Sequence, residues 1–354
     1  MMADRLTDAG PAASGSASPP DAPPAGSTRL VGSLRRSRDV PLLVERARDG
    51  DPRAVARLIT LVESGDRLLP EIAAALAPYT GRAQVVGLTG SPGVGKSTTT
   101  NELVRALRAR GHRVGVLAVD PSSPFTGGAI LGDRVRMQDH ATDPGVYIRS
   151  MSSRGHLGGL AAATPQAVRV LEGAGCDVVL VETVGVGQAE VEVASLADST
   201  LVLLAPGMGD AIQAVKAGIL EIADIFVVNK ADRDGADATV RDIQGMIALG
   251  ERAPGEWRPQ VVRTVAARGE GIDDVAAAID KHRTWLVKHD ELSRRRQARA
   301  AAEIEAIALG ELRARMGSLR DGTALGALAE RVAAGSLDPY AAAGELLAGL
   351  DARG

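Results

Sequence analysis

The sequence predicts an α/β protein with a mostly parallel sheet of about seven strands, flanked by helices and extended by further helices at both ends. Short runs of aliphatic and β-branched residues recur after residue 83, and the stretches between them are long enough for crossover helices. The runs occupy residues 85–88, 114–119, 146–150, 177–182, 200–205, 225–229 and 261–265. Because parallel sheets bind ligands at the carboxyl ends of their strands, the loops after these runs are expected to hold the chemistry.

The segments on either side of this core differ from it in composition. The first residues are rich in Pro, Ala, Gly and Ser, which cannot bury enough apolar surface to offset the entropy of ordering. Asp51-Pro52 then marks a helix start within an amphipathic stretch, and Gly65 marks a helix end. These patterns divide the chain into a disordered tail (1–35), an N-terminal helical extension (36–80), a core domain (81–290) and a C-terminal helical segment (291–354).

The C-terminal segment has helical periodicity and no strand-like run. Ile304, Ala308 and Leu312 fall on one helical stripe, and Asp338-Pro339 predicts the start of another helix. A run of cations near its beginning is interpreted as a solvated helix face, with an anion site as the alternative. These cations are Arg294, Arg295, Arg296 and Arg299.

Composition excludes several classes of protein. Aromatic residues are 2% of the chain, which leaves little material for stacking on bases, and a net charge of -3 argues against a polyanion-binding surface. One cysteine, Cys176, excludes intrachain disulfides and fits a reducing compartment. No apolar run approaches the length of about 20 residues that a membrane helix needs. The sequence therefore predicts a cytoplasmic protein with neither a nucleic acid nor a membrane as its partner.

A glycine-rich motif follows the first predicted strand. The stretch GSPGVGKS matches G-x-x-x-x-G-K-[ST], with a strand before it and a helical pattern after it. Its backbone N–H groups can surround a phosphate chain, Lys96 can reach the β and γ phosphates, and Ser97 can ligate Mg²⁺. The fold is therefore expected to be that of a P-loop NTPase. The predicted contacts are Gly90, Ser91, Pro92, Gly93, Val94, Gly95, Lys96, Ser97 and Thr98.

A second motif, Asn229-Lys230-Ala231-Asp232, indicates which base is bound. The Asp232 carboxylate can accept hydrogen bonds from N1–H and the 2-amino group of guanine, whereas adenine would leave it unpaired. Asn229 and the stem of Lys230 are expected to brace the loop and the ring. Ala266-Ala267, after the last strand, is placed to offer a backbone N–H to guanine O6.

Acids at the ends of two further strands predict a metal and a switch. Glu182 ends the fourth strand, where P-loop enzymes need an acid for Mg²⁺ or the attacking water, and the Gly185 N–H can meet the γ-phosphate. Asp120 and Asp133 bracket a Pro/Gly-rich loop and are predicted to lie near the metal, in a segment that rearranges when the γ-phosphate leaves. Val186 stands where fast small GTPases commonly carry a water-orienting glutamine. Hydrolysis by the protein alone is therefore expected to be slow.

Four long stretches together resemble the methylmalonyl-CoA mutase-associated GTPases of the MeaB or MMAA type, also labelled ArgK-like. They are GSPGVGKST, AVDPSSPFTGGAILGDRVRM, ETVGVGQAE and GMGDAIQAVKAGILEIADIFVVNKAD, and the similarity extends over about residues 40–350. The resemblance implies a homodimeric SIMIBI-class G protein that chaperones an adenosylcobalamin-dependent acyl-CoA mutase, with an adenosyltransferase as a further candidate partner. It also implies GTP or GDP and Mg²⁺ as ligands, and no cobalamin bound by this chain alone.

The resemblance also assigns roles by position. Lys96 and Ser97 fall on the phosphate and magnesium residues of that family, and the catalytic assignments are Lys96, Glu182 and Asp120. The metal-proximal group is Ser97, Asp120, Asp133 and Glu182. A further switch segment, implied to relay the nucleotide state to the mutase, contains Asp210, Gln213 and Lys216. Residues 291–354 correspond to a dimerisation arm.

Two other functions are compatible with the same fold. One is a kinase or transport ATPase that acts on a small amino-acid-like substrate, the sense of the ArgK label, although an ATPase gains nothing from Asp232. The other is a metal-insertion chaperone for a nickel enzyme, which would be expected to carry a His-rich tract. The five histidines are instead scattered, at His112, His140, His156, His282 and His289.

Overall fold

A parallel sheet of seven strands forms the centre of the protein. The computed structural model describes residues 38–120, 140, 142–152, 159–183, 189–207, 220–250, 253, 255–320 and 323–351. The strands are β1 (Gln84–Thr89), β2 (Val114–Asp120), β3 (Val146–Ser152), β4 (Val178–Thr183), β5 (Ser199–Leu204), β6 (Ile225–Val228) and β7 (Gln260–Arg263). They lie in the order β3-β2-β4-β1-β5-β6-β7, and all neighbouring pairs are parallel. The predicted fold is confirmed, and each predicted run forms a strand.

Helices cover both faces of the sheet. Those of the core domain are α4 (Lys96–Ala109), α5 (Gly159–Gly173), α6 (Ala189–Leu196), the single turn α7 (Leu220–Ile222), α8 (Ala236–Leu249) and α9 (Ile272–Lys288). Along β5, Leu201 and Leu203 join the core that contains α4 and α9, while Val202 and Leu204 join the core that contains α8. This burial on both faces explains why the strand sequences are continuously apolar. Among the described helices, none combines the length and apolarity that crossing a membrane would require.

Between residue 38, where the described part of the chain begins, and the sheet lie three α-helices. They are α1 (Val40–Arg48), α2 (Pro52–Glu63) and α3 (Leu69–Leu76). The Asp51 side chain accepts a hydrogen bond of 2.9 Å from the backbone N–H of Arg53, as the predicted helix start requires. Glu63, at the end of α2, forms an ion pair with Arg149 of β3. The extension thus packs against the edge of the sheet.

Three helices also follow residue 290 within the described ranges 291–320 and 323–351, and we name them together the C-terminal arm. They are α10 (Glu291–Arg320), α11 (Thr323–Ala333) and α12 (Pro339–Asp351). Asp338 accepts from the backbone N–H groups of Tyr340 at 2.9 Å and Ala341 at 3.0 Å, which confirms the predicted helix start. On α10, Ile304 and Leu312 are exposed apolar side chains.

Three of the four clustered arginines do not form the solvated face or the anion site that the sequence suggested. Arg295 donates to both carboxylate oxygens of Asp224 at 3.0 Å. Arg296 and Arg299 both donate to Asp198, at 2.7 and 2.8 Å. Asp198 and Asp224 directly precede β5 and β6, so the arginines attach α10 to the amino-terminal edge of the sheet. The anions that they bind belong to the chain itself.

A buried histidine completes this cluster. His282 of α9 is fully buried, and its Nδ1 lies 2.8 Å from the hydroxyl of Ser199. Burial lowers the pKa of His282 to about 4, so the ring is neutral at pH 7. It packs against Trp257 with ring centroids 4.6 Å apart and faces Asp224, whose carboxylate lies 3.3 Å from Nε2. The two tryptophans of the chain, Trp257 and Trp285, therefore both lie beside this cluster.

Candidate nucleotide-binding site

The loop between β1 and α4 has a backbone that requires glycine at two positions. Gly90 has φ of 138°, and a Cβ added there would lie 2.2 Å from the carbonyl oxygen of Leu203. Gly95 has φ of 99°, and its Cβ would lie 2.3 Å from Asn229 Nδ2. Other residues would be strained at both places and would also collide with these neighbours. The loop is therefore packed closely against β5 and the segment after β6.

Lys96 opens α4 and folds back into this loop. Its Nζ donates to the carbonyl oxygens of Gly90 at 2.7 Å and Ser91 at 3.1 Å, and the residue is 7% exposed. The buried ammonium is thus held where a phosphate chain lying in the loop would meet it. Of the other predicted phosphate contacts, Pro92 and Gly93 lie in the turn and Thr98 lies in the first turn of α4.

The predicted strand-end acid lies directly against the P-loop helix. Glu182 of β4 is in register with Leu88 of the neighbouring β1 and is 6% exposed. Its Oε1 accepts from the Ser97 hydroxyl at 2.7 Å, and its Oε2 accepts from the Thr100 hydroxyl at 2.9 Å. Mg²⁺ prefers oxygen ligands such as hydroxyl and carboxylate groups, so the Ser97 hydroxyl and the Glu182 carboxylate fit this metal. Sequence reasoning missed Thr100, although its i,i+3 spacing from Ser97 puts both on one helix face.

Asn229 ties together three segments of the site. Its Nδ2 donates to the Val94 carbonyl at 2.8 Å, and its Oδ1 accepts from the Thr264 hydroxyl at 3.1 Å and the Ala266 N–H at 3.0 Å. Thr264 is a second residue that sequence reasoning missed. Because the Ala266 N–H is engaged by Asn229, Ala267 becomes the better candidate donor for guanine O6.

Lys230 and Asp232 of the base motif lie in the loop that follows β6. Lys230 has φ of 57° and donates to the Gly93 carbonyl at 2.6 Å, so its stem crosses from the β6 loop to the P-loop. The Asp232 carboxylate is 41% exposed and lies 3.5 Å from Arg268 Nη1. The Asp232 carboxylate is therefore accessible to a ligand, as a carboxylate that reads a base must be.

Of the remaining predicted site residues, Asp120 can be placed by its backbone, and five others lie outside the described residues. The backbone of Asp120 ends β2 and is in register with Ser152 of β3, one position beyond the pair of Val119 with Thr183 of β4. Asp120, the last residue of β2, and Glu182, the residue before the end of β4, therefore lie at the same edge of the sheet on adjacent strands. The predicted residues that lie outside the described part of the chain are Asp133, Gly185, Asp210, Gln213 and Lys216.

Replacing Asp232 by asparagine is expected to weaken GDP binding by about 50-fold, because two charge-assisted hydrogen bonds to guanine would be lost. The asparagine amide can instead donate to a carbonyl at position 2 of the purine. We therefore expect the variant to prefer xanthosine diphosphate. Titration of both nucleotides by calorimetry measures the change, and an unchanged preference for GDP would contradict the assignment of Asp232.

Comparisons with known proteins agree with this geometry. The family model described as methylmalonyl Co-A mutase-associated GTPase MeaB matches residues 55–320. A relative from Pyrococcus abyssi, named as a GTPase, is 48% identical over 308 residues, which are 86% of this chain and 95% of the relative. The mitochondrial methylmalonic aciduria type A homolog of Mus musculus is 39% identical over 269 residues, covering 70% of this chain and 64% of that protein. The solved structure of a LAO/AO transport system kinase is similar with a TM-score of 0.66 and 28% identity, covering 88% of this chain and 97% of that one.

Proposed function

Because the chain belongs to the family of methylmalonyl-CoA mutase-associated GTPases and is itself a GTPase, we propose that its GTP cycle serves an adenosylcobalamin-dependent acyl-CoA mutase. The first candidate is methylmalonyl-CoA mutase. The proposed role is that of a chaperone that gates loading of the cobalamin cofactor and protects or reactivates the mutase. The observation that carries this proposal is the family match over residues 55–320, whose description names the mutase. The name of the Mus musculus relative supports it.

The proposed chemistry is in-line attack of water on the γ-phosphate of GTP, with the protein supplying position and charge. Lys96 would stabilise the charge that develops on the phosphate oxygens. Ser97 and Glu182 would hold Mg²⁺, with Asp120 as a further acid at the same sheet edge, and the ion would neutralise phosphate charge. Glu182 would act through water or on the attacking water, since its side chain is longer than the commoner aspartate.

The output of the cycle is proposed to be a conformational state. The two predicted switch segments follow β2 and β5 in the chain, and the strand ends near the P-loop are where a γ-phosphate would be sensed. The first segment runs from Asp120 to Asp133, and the second contains Asp210, Gln213 and Lys216. We also propose that the C-terminal arm forms a homodimer in the cytoplasm, which the exposed Ile304 and Leu312 support.

The proposal predicts that a cognate mutase accelerates GTP hydrolysis by at least about 10-fold, because a partner is needed to complete or order the catalytic site. The purified protein is mixed with candidate methylmalonyl-CoA and isobutyryl-CoA mutases, and phosphate release is measured with and without each. A variant with Lys96→Ala serves as the control for contaminating phosphatases. Rapid hydrolysis by the protein alone, with no response to any mutase, would contradict the proposal.

A kinase linked to amino-acid transport is the second candidate function, favoured by the name of the similar solved structure. Such an enzyme would transfer the γ-phosphate to a substrate or protein and would be expected to use ATP. The Asp232 carboxylate argues against ATP, because adenine offers it no hydrogen at N1 and no 2-amino group. Displacement of GTP by an equal concentration of ATP would reverse the order of the two candidates.

A further inference from the structure

We propose that Arg268 is a positioning residue for guanine recognition. Its guanidinium approaches Oδ2 of Asp232 and would offset the cost of covering that carboxylate with a purine. The inference rests on the proposed role of Asp232 in the nucleotide site. It adds to that site the residue that directly follows Ala266-Ala267 in the chain.

The contacts of Arg268 leave one edge of its guanidinium for Asp232. Nε donates to Glu270 Oε1 at 2.7 Å, and Nη2 donates to Glu270 Oε2 at 3.3 Å. The remaining nitrogen, Nη1, lies 3.5 Å from Asp232 Oδ2. Since the guanidinium is a rigid plane with five donors, fixing two of its nitrogens on Glu270 also fixes the direction of the third.

Backbone hydrogen bonds fix the turn that carries Arg268 and Glu270. Val265 and Glu270 form an isolated antiparallel bridge, in which the Val265 N–H donates to the Glu270 carbonyl at 3.0 Å. The Arg268 N–H donates to the Val265 carbonyl at 2.8 Å within the same turn. The flanking residues Thr264 and Ala266 both donate to Asn229 of the base motif. Arg268 is therefore carried on a loop that is tied directly to the base site.

The chemistry of a carboxylate allows Arg268 and guanine to bind Asp232 together. Each carboxylate oxygen has two acceptor positions, so Oδ2 can accept from Arg268 on one side and from the purine on the other. A purine laid over Asp232 removes water from a charge that is now 41% exposed, and this removal costs free energy unless a cation is near. Without nucleotide, the ion pair between Arg268 and Asp232 is exposed to solvent and contributes little to stability. Its contribution should therefore be seen in nucleotide affinity and hardly in stability.

The test is a double-mutant cycle on nucleotide affinity. The variants are Arg268→Ala, Asp232→Asn and the two combined, with Arg268→Lys as the conservative replacement. The control is Arg263→Ala, because Arg263 is 54% exposed against 53% for Arg268 and pairs with Asp237 at 2.6 Å, outside the base site. Calorimetry gives the Kd for GDP and for IDP, which lacks the 2-amino group. Steady-state turnover gives KM and kcat for GTP.

We expect Arg268→Ala to raise the Kd for GDP by about 5-fold, a typical effect for one charge pair that becomes covered on binding. KM for GTP should rise by a similar factor at unchanged kcat, and Arg268→Lys should recover part of the loss. In the Asp232→Asn background the same replacement should change the GDP affinity by less than about 2-fold, since the anion that Arg268 serves is gone.

Three results would overturn the inference. An equal loss of affinity in both backgrounds would show that Arg268 shapes the loop without acting through Asp232. The Kd of Arg268→Ala for GDP could also stay within 2-fold of that of the unsubstituted protein, as is expected for Arg263→Ala. Arg268 would then neither shape the loop nor act through Asp232. If Asp232→Asn itself bound GDP normally, the guanine site on which the inference rests would fail first, and the cycle would separate that outcome from the other two.

Discussion

Replacing Lys96 by alanine is expected to reduce the rate of GTP hydrolysis by about 10²-fold or more, the usual cost of removing one preorganised charge from a transition state. Lys96 is 7% exposed, and its ammonium is held by the Gly90 and Ser91 carbonyls at the predicted phosphate site. A single-turnover measurement with excess enzyme isolates the chemical step. GDP affinity should fall less than the rate, because charge on the γ-phosphate group develops only in the reaction.

The matched control is Arg105→Ala, which removes a positive charge from the exposed side of the same helix. Arg105 lies within α4 and pairs with Glu102 at 2.5 Å, with 55% of its side chain exposed. Its loss should change turnover by less than about 2-fold, since a surface helix pair contributes little. If Arg105→Ala and Lys96→Ala lowered the rate equally, the cause would be the net charge of α4, and the phosphate role of Lys96 would be contradicted.

The features that the sequence predicted correctly are local in the chain. Each strand is a continuous apolar run because its residues are buried on both faces, and such a run is visible without knowing its neighbours. The P-loop is likewise contiguous, and its glycines are needed for backbone reasons that hold wherever the motif occurs. Even the contact between Glu182 and Ser97 could be anticipated, because parallel topology brings strand ends to one edge.

The features that the sequence did not predict depend on partners far along the chain. Arg296 and Asp198 are 98 residues apart, and nothing around either one identifies the other. Thr264 donates to Asn229 across 35 residues, and Arg268 faces Asp232 across 36. A cluster of arginines on a helix has the same local pattern whether it faces water or buried acids. Only the packing of α10 against the sheet distinguishes the two cases.

Because α10 packs against the sheet through Asp198, the substitution Asp198→Asn is expected to have the largest effect on stability. The Asp198 carboxylate accepts from the Val85 N–H at 3.0 Å and from two guanidinium groups, and its side chain is 2% exposed. Breaking a fully buried ion pair costs about 3–5 kcal/mol because the partner charge stays buried. Arg296 and Arg299 are 25% and 18% exposed, so solvent screens part of this cost. We expect the free energy of unfolding to fall by about 2–3 kcal/mol.

Urea unfolding followed by tryptophan fluorescence measures this loss of stability. The signal reports on the contact between α10 and the sheet, because Trp257 donates to the carbonyl of Asp224, the partner of Arg295, at 2.8 Å. The control is Asp280→Asn, whose carboxylate is 61% exposed and pairs with Arg110 at 3.1 Å, and which should cost less than about 0.5 kcal/mol. Equal losses for the two variants would contradict the structural role of Asp198.

The pH dependence of the free energy of unfolding gives a second, independent check on the role of Asp198. Burial alone would raise the pKa of Asp198, but pairing with Arg296 and Arg299 outweighs it and holds the pKa below its ordinary value. A carboxyl with a lowered pKa stabilises the fold above its unfolded value of about 3.9 and loses that contribution as the pH falls toward the folded value. The difference between parent and Asp198→Asn should therefore be constant near neutrality and shrink below about pH 4. A difference that stayed constant into that acidic range would mean that the ionised form of Asp198 is not what attaches α10 to the sheet.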